Sequence, residues 1–331
     1  MHNALHLSHP HPDELSKSTR SGQFENREAS LSAKGLVSCD IIRYVTIKKE
    51  SGKMYYDTIN IWDHFNESIK DKAFLEVYVP EQTSEIPFVR KRSSVLICPG
   101  GGYAYASRRE AEPVALAFAG RGFNAFVLTY GTAPEVRHPQ PLLDVSRAMC
   151  IIRENAEKWY MDRDKIAVCG FSAGAHLAAS LGVFWKEAYL QDALKIPEGL
   201  NKPDALILGY PVLTSIAGIS HRDSFYNLLG ENLEESAYAA MSLENHVNGN
   251  TPPAFIWHTF DDDAVPVDSS LLFAQRMKNN NIPFELHIFP EGEHGLSMCD
   301  ERTAARDTQM NEYAGKWFDM CIDWLKKFAF R

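Results

Sequence analysis

The 331-residue sequence suits one large α/β domain, and its 45% hydrophobic and 23% charged residues allow a sizeable core, which excludes intrinsic disorder for most of the chain. Lysine and arginine total 34 against 43 aspartate and glutamate residues, and this net charge of −9 excludes a general nucleic-acid binder and disfavours attraction to anionic lipid. The six cysteines are too few and too scattered for a disulfide framework, so we interpret them as free, buried and reduced.

The first segment, residues 1–37, is polar and shows no periodicity, so we expect a flexible or draped N-terminal arm. Its first twenty residues lack the apolar run of a signal peptide, which favours a cytoplasmic protein, although a chain trimmed of its leader would show the same sequence. Residues 38–331 contain no internal repeat and no low-complexity linker, and they predict one folded domain.

The strand pattern changes along this domain. Residues 41–47 and 74–79 alternate apolar and polar side chains, which is typical of half-buried antiparallel strands. Continuous apolar runs then predict strands buried on both faces. These runs are residues 95–98, 125–128, 166–169, 205–208 and 254–257, with a last strand at 284–289.

Helical periodicity separates the strands. Apolar residues spaced by three and four place Leu142 to Ala156 on one helix face, and the same spacing recurs from Met310 to Phe328. Alternating strands and helices predict an α/β fold with a mostly parallel central sheet, covered by helices on both faces. Such folds bind ligands at the carboxyl ends of their strands.

One such strand end carries the strongest chemical signal. Gly170-Phe171-Ser172-Ala173-Gly174 follows the strand 165–169 and leads into an apolar helical run. This strand–turn–helix context is what a nucleophile elbow requires, because the sharp turn exposes the Ser172 hydroxyl and excludes large neighbours. The backbone N–H after the serine and the helix N-terminus then face a developing anion.

A second loop, Pro99 to Tyr103, holds three consecutive glycines after the strand 95–98. Glycines let consecutive N–H groups point at one spot, which suits an oxyanion hole. A phosphate loop is the weaker interpretation, because the Lys-Ser/Thr ending of a P-loop is absent.

A serine nucleophile needs a base and an orienting acid. His294 lies between glycines after the strand 284–289 and is the predicted base. Asp261, Asp262 and Asp263 follow the strand 254–257, and one of these carboxylates is the predicted acid. The order serine, aspartate, histidine along the chain is that of α/β-hydrolases.

From about Ala73 to the C-terminus the sequence resembles α/β-hydrolase esterases near the hormone-sensitive-lipase-like group. It is most similar to bacterial acetyl esterases, acetylxylan esterases and bifunctional feruloyl/acetylxylan esterases. The resemblance rests on Cys-Pro-Gly-Gly-Gly-Tyr from Cys98, Pro-Gln-Pro-Leu-Leu-Asp-Val from Pro139, Gly-Phe-Ser-Ala-Gly-Ala-His-Leu-Ala from Gly170, Trp-His-Thr from Trp257, Val-Pro-Val from Val265, and Phe-Pro-Glu-Gly-Glu-His-Gly from Phe289.

The resemblance implies roles for particular residues. The family pattern D-x-x-V-P selects Asp262, with Asp261 as the alternative. Gly101, Gly102 and Ala173 would donate the oxyanion-hole N–H groups. The sequence departs from the hormone-sensitive-lipase-like pattern at Pro99, where those relatives usually carry histidine, so the resemblance is weaker toward the lipase branch.

Together with this resemblance, the residues predict a Ser172–His294–Asp262 carboxylesterase that acts on short, acetyl esters, plausibly on carbohydrate, and needs no metal or organic cofactor. Its partner would be a small ester or an acetylated oligosaccharide. Tyr103 and Tyr105 follow the glycine loop and could line the substrate site, although packing in the core is an equal expectation for one of them. Residues 211–252 form a long segment after a strand, which predicts a small cap over the site.

Three alternatives are weighed against this prediction. A prolyl-oligopeptidase-type peptidase would need a further recognition domain, for which the residues before Ala73 are too few. A lipase would carry a large apolar lid. A non-catalytic binding module normally lacks one of the three catalytic residue types, all of which are present here.

Overall fold

A computed structural model describes residues 54–63, 73–83, 85 and 91–331. All of them belong to one compact unit, Ile47–Arg331. The predicted N-terminal arm, residues 1–37, and the predicted strand at 41–47 lie outside the described residues.

The described residues form an eight-stranded sheet in the order β1-β2-β4-β3-β5-β6-β7-β8. Strand β2 runs antiparallel to both of its neighbours, β1 and β4. All pairs from β4 through β3 to β8 are parallel, as the continuous apolar runs predict. The strands are β1 (Tyr55–Asn60), β2 (Phe74–Val79), β3 (Arg92–Cys98), β4 (Asn124–Thr129), β5 (Met161–Phe171), β6 (Ala205–Gly209), β7 (Ala254–Thr259) and β8 (Phe284–Phe289).

Helices connect the parallel strands and cover both faces of the sheet. The helices are α1 (Glu112–Gly120), α2 (Gln140–Glu154), α3 (Ala173–Phe184), α4 (Ala188–Leu194), α5 (Arg222–Leu229), α6 (Glu235–Ala239), α7 (Asp268–Asn279), α8 (Glu312–Gly315) and α9 (Trp317–Trp324). The α/β sheet architecture predicted from the sequence is therefore confirmed.

Two hydrophobic cores lie on opposite faces of this sheet. One joins alternate strand residues such as Leu96, Val168 and Leu208 to apolar residues of α2, α3 and α7. The other joins the intervening residues, such as Ile97 and Cys169, to α1 and α9. Because successive side chains of a strand point to opposite faces, strands buried on both sides read as continuous apolar runs.

The predicted C-terminal helix face is wrong in part. The side-chain oxygen of Asn311 accepts the Ala314 N–H at 3.0 Å and caps α8, so the helix begins after Met310. Trp317, Cys321 and Trp324 are buried, as the periodicity predicts. Met310, Tyr313 and Phe328, which the same spacing places on that helix face, are exposed.

The parallel strands place their carboxyl ends at one edge of the sheet. The glycine loop follows β3, the serine turn follows β5, the aspartates follow β7, and His294 follows β8. In the described part of the chain, no helix combines the length and apolar character that a bilayer span requires.

Candidate active site

Ser172 occupies a sharp turn between β5 and α3. Its backbone angles, φ 52° and ψ −121°, are unusual for a residue with a side chain and cost on the order of 1–3 kcal/mol. A Cβ at Gly170 would lie 2.2 Å from the Gly174 carbonyl oxygen, and one at Gly174 would lie 2.1 Å from the Cys98 carbonyl oxygen. The glycines on either side of the serine are therefore required by the close approach of strand, turn and helix.

His294 bridges the serine and a carboxylate. Its Nε2 lies 2.8 Å from the Ser172 Oγ, and its Nδ1 lies 2.7 Å from the Asp262 Oδ2. With Asp262 ionised, Nδ1–H donates to the carboxylate, and Nε2 accepts the serine hydroxyl proton. Ser172 and Asp262 are 122 and 32 residues from His294 in sequence. They meet because the strands before them end at the same edge of the parallel sheet.

The Asp262 carboxylate is well supplied with donors. Burial disfavours its charged form, but hydrogen bonds from His258 and His294 outweigh that effect and hold the pKa of Asp262 below its usual range. Its Oδ1 also accepts the backbone N–H groups of Ala264 at 3.0 Å and Val265 at 2.8 Å. Asp262 is therefore a fixed anion beneath the imidazole of His294.

Asp261 and Asp263 contact the backbone of the loop that carries His294. Asp261 Oδ1 accepts the Gly292 N–H, with 2.6 Å between the heavy atoms, and Asp263 Oδ1 lies 3.5 Å from the His294 backbone nitrogen. Of the three carboxylates, the structure places Asp262 against the His294 ring. The alternative, Asp261, contacts the loop backbone instead.

The glycine loop after β3 presents unpaired donors next to Ser172. Within the described part of the chain, the N–H groups of Gly101, Gly102 and Ala173 have no hydrogen-bond acceptor. Gly101 has φ +123°, and a Cβ there would lie 2.2 Å from the Tyr105 carbonyl oxygen, so only glycine fits. Asn227 of α5 donates to the Gly102 carbonyl oxygen at 2.8 Å and fixes the loop from above.

The two tyrosines after this loop have different environments. Tyr103 is buried, and its hydroxyl donates to Nδ1 of His176 at 2.8 Å, while His176 Nε2–H donates to the Met241 carbonyl oxygen at 3.0 Å. Burial lowers the pKa of His176 to about 4, so the ring is neutral near pH 7. Tyr103 thus packs in the core, whereas the Tyr105 side chain is 63% exposed.

The residues that sequence reasoning missed are those that support the site from below. Glu110, Tyr210 and His258 are buried, and each hydrogen-bonds to the glycine loop, the His294 loop or Asp262. Glu110 and Tyr210 lie in no motif, and they contact each other across 100 residues of sequence. His258 is the histidine of the Trp-His-Thr motif at the end of a strand, and that position is the signal that could have indicated its contact with Asp262.

Metal ligands are a separate question. Among the residues that the structure describes, no group of three or more histidine, cysteine, aspartate or glutamate side chains is arranged to hold a metal ion.

Comparison with known proteins places this geometry in a family. The BD-FAE family model matches residues 75–277. Endo-1,4-beta-xylanase B of Butyrivibrio fibrisolvens is 42% identical over 242 residues, which are 72% of this chain and 37% of that protein. The acetylxylan esterase of Xylanibacter ruminicola is 27% identical over 257 residues, 76% of this chain and 48% of that protein. The chain thus spans less than half the length of these two curated relatives.

Comparison with solved structures supports the same family assignment. The acetyl ester-xyloside bifunctional hydrolase from Caldicellulosiruptor lactoaceticus is 34% identical, with a TM-score of 0.70, and the match covers 83% of this chain and 97% of that one. The resemblance to α/β-hydrolase esterases that the motifs indicate is confirmed. The chain belongs to the BD-FAE family and has the α/β-hydrolase fold.

Proposed function

We propose that this protein is a serine carboxylesterase in which Ser172 is the nucleophile, His294 the general base and Asp262 the orienting acid. The observation that carries the proposal is the continuous chain of hydrogen bonds from Ser172 Oγ through His294 to Asp262, at 2.8 and 2.7 Å. The esterase names of the relatives support the same activity.

In the acylation half-reaction, Ser172 Oγ attacks the ester carbonyl carbon while His294 Nε2 takes the hydroxyl proton. The carbonyl oxygen becomes an oxyanion, which accepts hydrogen bonds from the unpaired N–H groups of Gly101, Gly102 and Ala173. Asp262 stabilises the imidazolium. The tetrahedral intermediate then collapses, the ester C–O bond breaks, and His294 gives its proton to the departing alcohol.

Deacylation repeats these steps with water as the nucleophile. His294 takes a proton from the water as its oxygen attacks the acyl carbon, and the oxyanion occupies the same three N–H groups. Collapse of this intermediate breaks the bond to Ser172 Oγ, which recovers its proton from His294. The carboxylic acid leaves, and the residues return to their starting state without any cofactor entering the scheme.

The acyl group is proposed to be short, with acetyl as the expected case. The names of two relatives, an acetylxylan esterase and an acetyl ester-xyloside hydrolase, support this acyl group. Side chains fill the space between the glycine loop and α5; they are Tyr103, His176, Val212, Ser224, Phe225 and Leu228.

The alcohol side is proposed to be a carbohydrate. Two relatives are named for acetylxylan and for an acetyl ester-xyloside substrate, which supports an acetylated sugar here. Tyr105 supports it as well, because its exposed ring follows the glycine loop and an aromatic face suits the apolar face of a sugar. The proposed partner is therefore a small ester or an acetylated oligosaccharide.

Residues 211–252 are proposed to act as a cap within a catalytic domain of residues 38–331. The segment contains α5 and α6. Its contacts with the glycine loop, from Asn227 to Gly102, and with helix α3, from Met241 to His176, support this role.

A cytoplasmic location is also part of the proposal. The five cysteines of the described region, Cys98, Cys150, Cys169, Cys299 and Cys321, are free and buried, which supports a reducing compartment. Fractionation of the native host with an antibody to the protein tests this location.

A chain-length series of p-nitrophenyl esters tests the activity. Wild type is expected to hydrolyse the acetate faster than the octanoate, and Ser172→Ala is expected to be inactive on both. Equal activity of the two proteins would contradict the esterase proposal, and a preference for octanoate or longer chains would favour a lipase.

Natural polymers then test the substrate class. Acetate release from acetylated xylan, xylo-oligosaccharides and acetylated mannan separates the carbohydrate substrates. Release of acetate from none of them, with cleavage of peptide p-nitroanilides instead, would favour the peptidase alternative.

A further inference from the structure

A buried carboxylate lies beneath the proposed active site and takes no part in the mechanism above. Glu110 ends a short 3₁₀ turn, Arg108–Glu110, and is 5% exposed. Its Oε2 accepts the Gly100 N–H at 2.7 Å, at the start of the glycine loop. A Cβ at Gly100 would lie 2.7 Å from that same oxygen, so the carboxylate is pressed against the loop backbone.

Tyr210 links this carboxylate to the His294 loop. Its hydroxyl donates to Glu110 Oε1 at 2.6 Å and accepts the Ser297 N–H at 3.0 Å. Tyr210 donates its one hydroxyl proton to Glu110, because the Ser297 N–H is itself a donor and binds a lone pair of the Tyr210 oxygen. The Tyr210 ring also meets the His294 ring edge to face, with 5.0 Å between centroids.

The same 3₁₀ turn holds the His294 loop by its backbone. The Arg109 side chain donates to the Gly295 carbonyl oxygen at 2.9 Å. The Ser297 hydroxyl donates in return to the Arg109 carbonyl oxygen at 3.0 Å. The turn therefore touches both loops that the proposed reaction must keep in register.

The hydrogen bonds favour an ionised Glu110. Both carboxylate oxygens accept hydrogen bonds, from Tyr210 and from Gly100, and Glu110 forms no ion pair with any residue that the structure describes. Burial raises the pKa of Glu110 overall, while these two hydrogen bonds and the charges of His294 and Arg109 act in the opposite direction. The carboxylate thus has two hydrogen-bond donors and lies close to the histidine that becomes positive.

Resting on the esterase function proposed above, we propose that Glu110 and Tyr210 are positioning residues for the active site. Glu110 fixes the oxyanion loop through Gly100 and the His294 loop through Tyr210 and Ser297. Its negative charge also favours the imidazolium form of His294 that develops during each half-reaction.

Other titratable groups near His294 also affect its charge, and the effect of Glu110 must be distinguished from theirs. Asp262 contacts Nδ1, Asp263 contacts the backbone nitrogen, and the Tyr210 ring packs against the imidazole. His221 on the opposite, α5 side and Glu110 below interact with it through charge. A variant that changes Glu110 alone leaves the other groups in place.

Glu110→Gln and Tyr210→Phe test the proposal against Glu76→Gln as the matched control. Glu76 pairs with Arg108 of the same 3₁₀ turn, at 3.0 Å, but touches neither loop. Active enzyme is counted in each preparation by labelling with a fluorophosphonate, so that kcat refers only to folded, reactive molecules. The pH profile of kcat/KM and the unfolding temperature are measured beside kcat and KM.

In Glu110→Gln, kcat per labelled site is expected to fall about tenfold to a hundredfold, below the ~10²–10³ that direct loss of an oxyanion donor costs, with KM little changed. The substitution removes a buried negative charge close to the imidazolium that forms in each half-reaction, so the pH profile of kcat/KM is expected to differ from that of wild type. Tyr210→Phe is expected to lower kcat while it leaves KM near wild type. Glu76→Gln is expected to change none of these.

Wild-type kcat and pH profile in labelled Glu110→Gln would overturn the proposal. If that variant does not fold, wild-type kcat per labelled site in Tyr210→Phe overturns it instead. An equal loss in Glu76→Gln also overturns it, because general loosening of the turn would then suffice. Absence of any label on Ser172 in wild type overturns the esterase proposal itself, which separates the two failures.

Discussion

His258 and Asp262 contact each other inside the protein: Nε2 of His258 lies 3.2 Å from Oδ2 of Asp262, the oxygen that also meets Nδ1 of His294. His258 Nε2 is also 2.9 Å from the Val265 carbonyl oxygen, and its Nδ1 is 2.8 Å from the Ser270 hydroxyl. Because both neighbours of Nε2 are acceptors, Nε2 carries the proton. His258 is thus a second histidine donor to the orienting carboxylate.

Replacing His258 with glutamine is expected to lower kcat about tenfold with KM little changed. The reason is that a hydrogen bond to a charged group is worth about 1.5–3 kcal/mol, and part of that loss falls on the orientation of Asp262. Steady-state kinetics on p-nitrophenyl acetate measure the effect. His287→Gln is the control, since His287 is a partly exposed histidine that pairs with Glu285, and a comparable loss there would contradict the interpretation.

The choice between the adjacent aspartates can be tested directly. Asp262→Asn is expected to lower kcat about 10³–10⁴-fold, because the amide no longer fixes the His294 tautomer that accepts the serine proton. Asp261→Asn keeps a carbonyl oxygen for the Gly292 N–H and is expected to retain most activity. The reverse order of activities would assign the orienting role to Asp261.

The glycine loop predicts a steric effect on catalysis. Gly101→Ala places a methyl group 2.2 Å from the Tyr105 carbonyl oxygen, so the loop must move and the oxyanion donors with it. We expect kcat to fall about 10²–10³-fold. Gly218→Ala is the matched control, because Gly218 also has positive φ but open space around its Cβ position. Similar losses in both variants would show that backbone strain alone is responsible.

His176 is buried in its neutral form, and this predicts a pH dependence of the free energy of unfolding. Its pKa is lowered to about 4 in the folded protein, so between pH 6.5 and 4 the unfolded state binds the extra proton and stability falls as pH falls. From pH 6.5 to 5 this amounts to about 1.5 kcal/mol. Urea unfolding of wild type and His176→Gln over this range measures it, and the variant should show a shallower loss. Parallel curves for the two proteins would contradict the prediction.

The sequence predicts strands β2 to β8 of the described sheet but not β1, the strand at one edge. Apolar runs mark β3 to β7, because strands covered on both faces carry few polar residues. Strand β1 was missed, since its half-exposed residues include Asp57, Thr58 and Asn60 and give no continuous run. The C-terminal periodicity predicts the helix start wrongly at Met310, because a local cap at Asn311 determines where the helix begins.

Some residues of the candidate site could be predicted from the sequence, and others could not. Ser172, His294 and the aspartates could be predicted because each follows a strand and the parallel sheet brings these ends together. Glu110 and Tyr210 could not, because what they do depends on contacts between loops far apart in sequence. For Tyr103 and Tyr105 the sequence left open which of the two packs in the core; the structure buries Tyr103, whose hydroxyl donates to His176.

The most direct test of the central claim is covalent labelling with a fluorophosphonate, followed by peptide mapping by mass spectrometry and by esterase assay of the labelled protein. The account predicts one adduct per chain, on Ser172, with complete loss of p-nitrophenyl acetate hydrolysis and no adduct in Ser172→Ala. An adduct on another residue, or full esterase activity in the labelled protein, would contradict it.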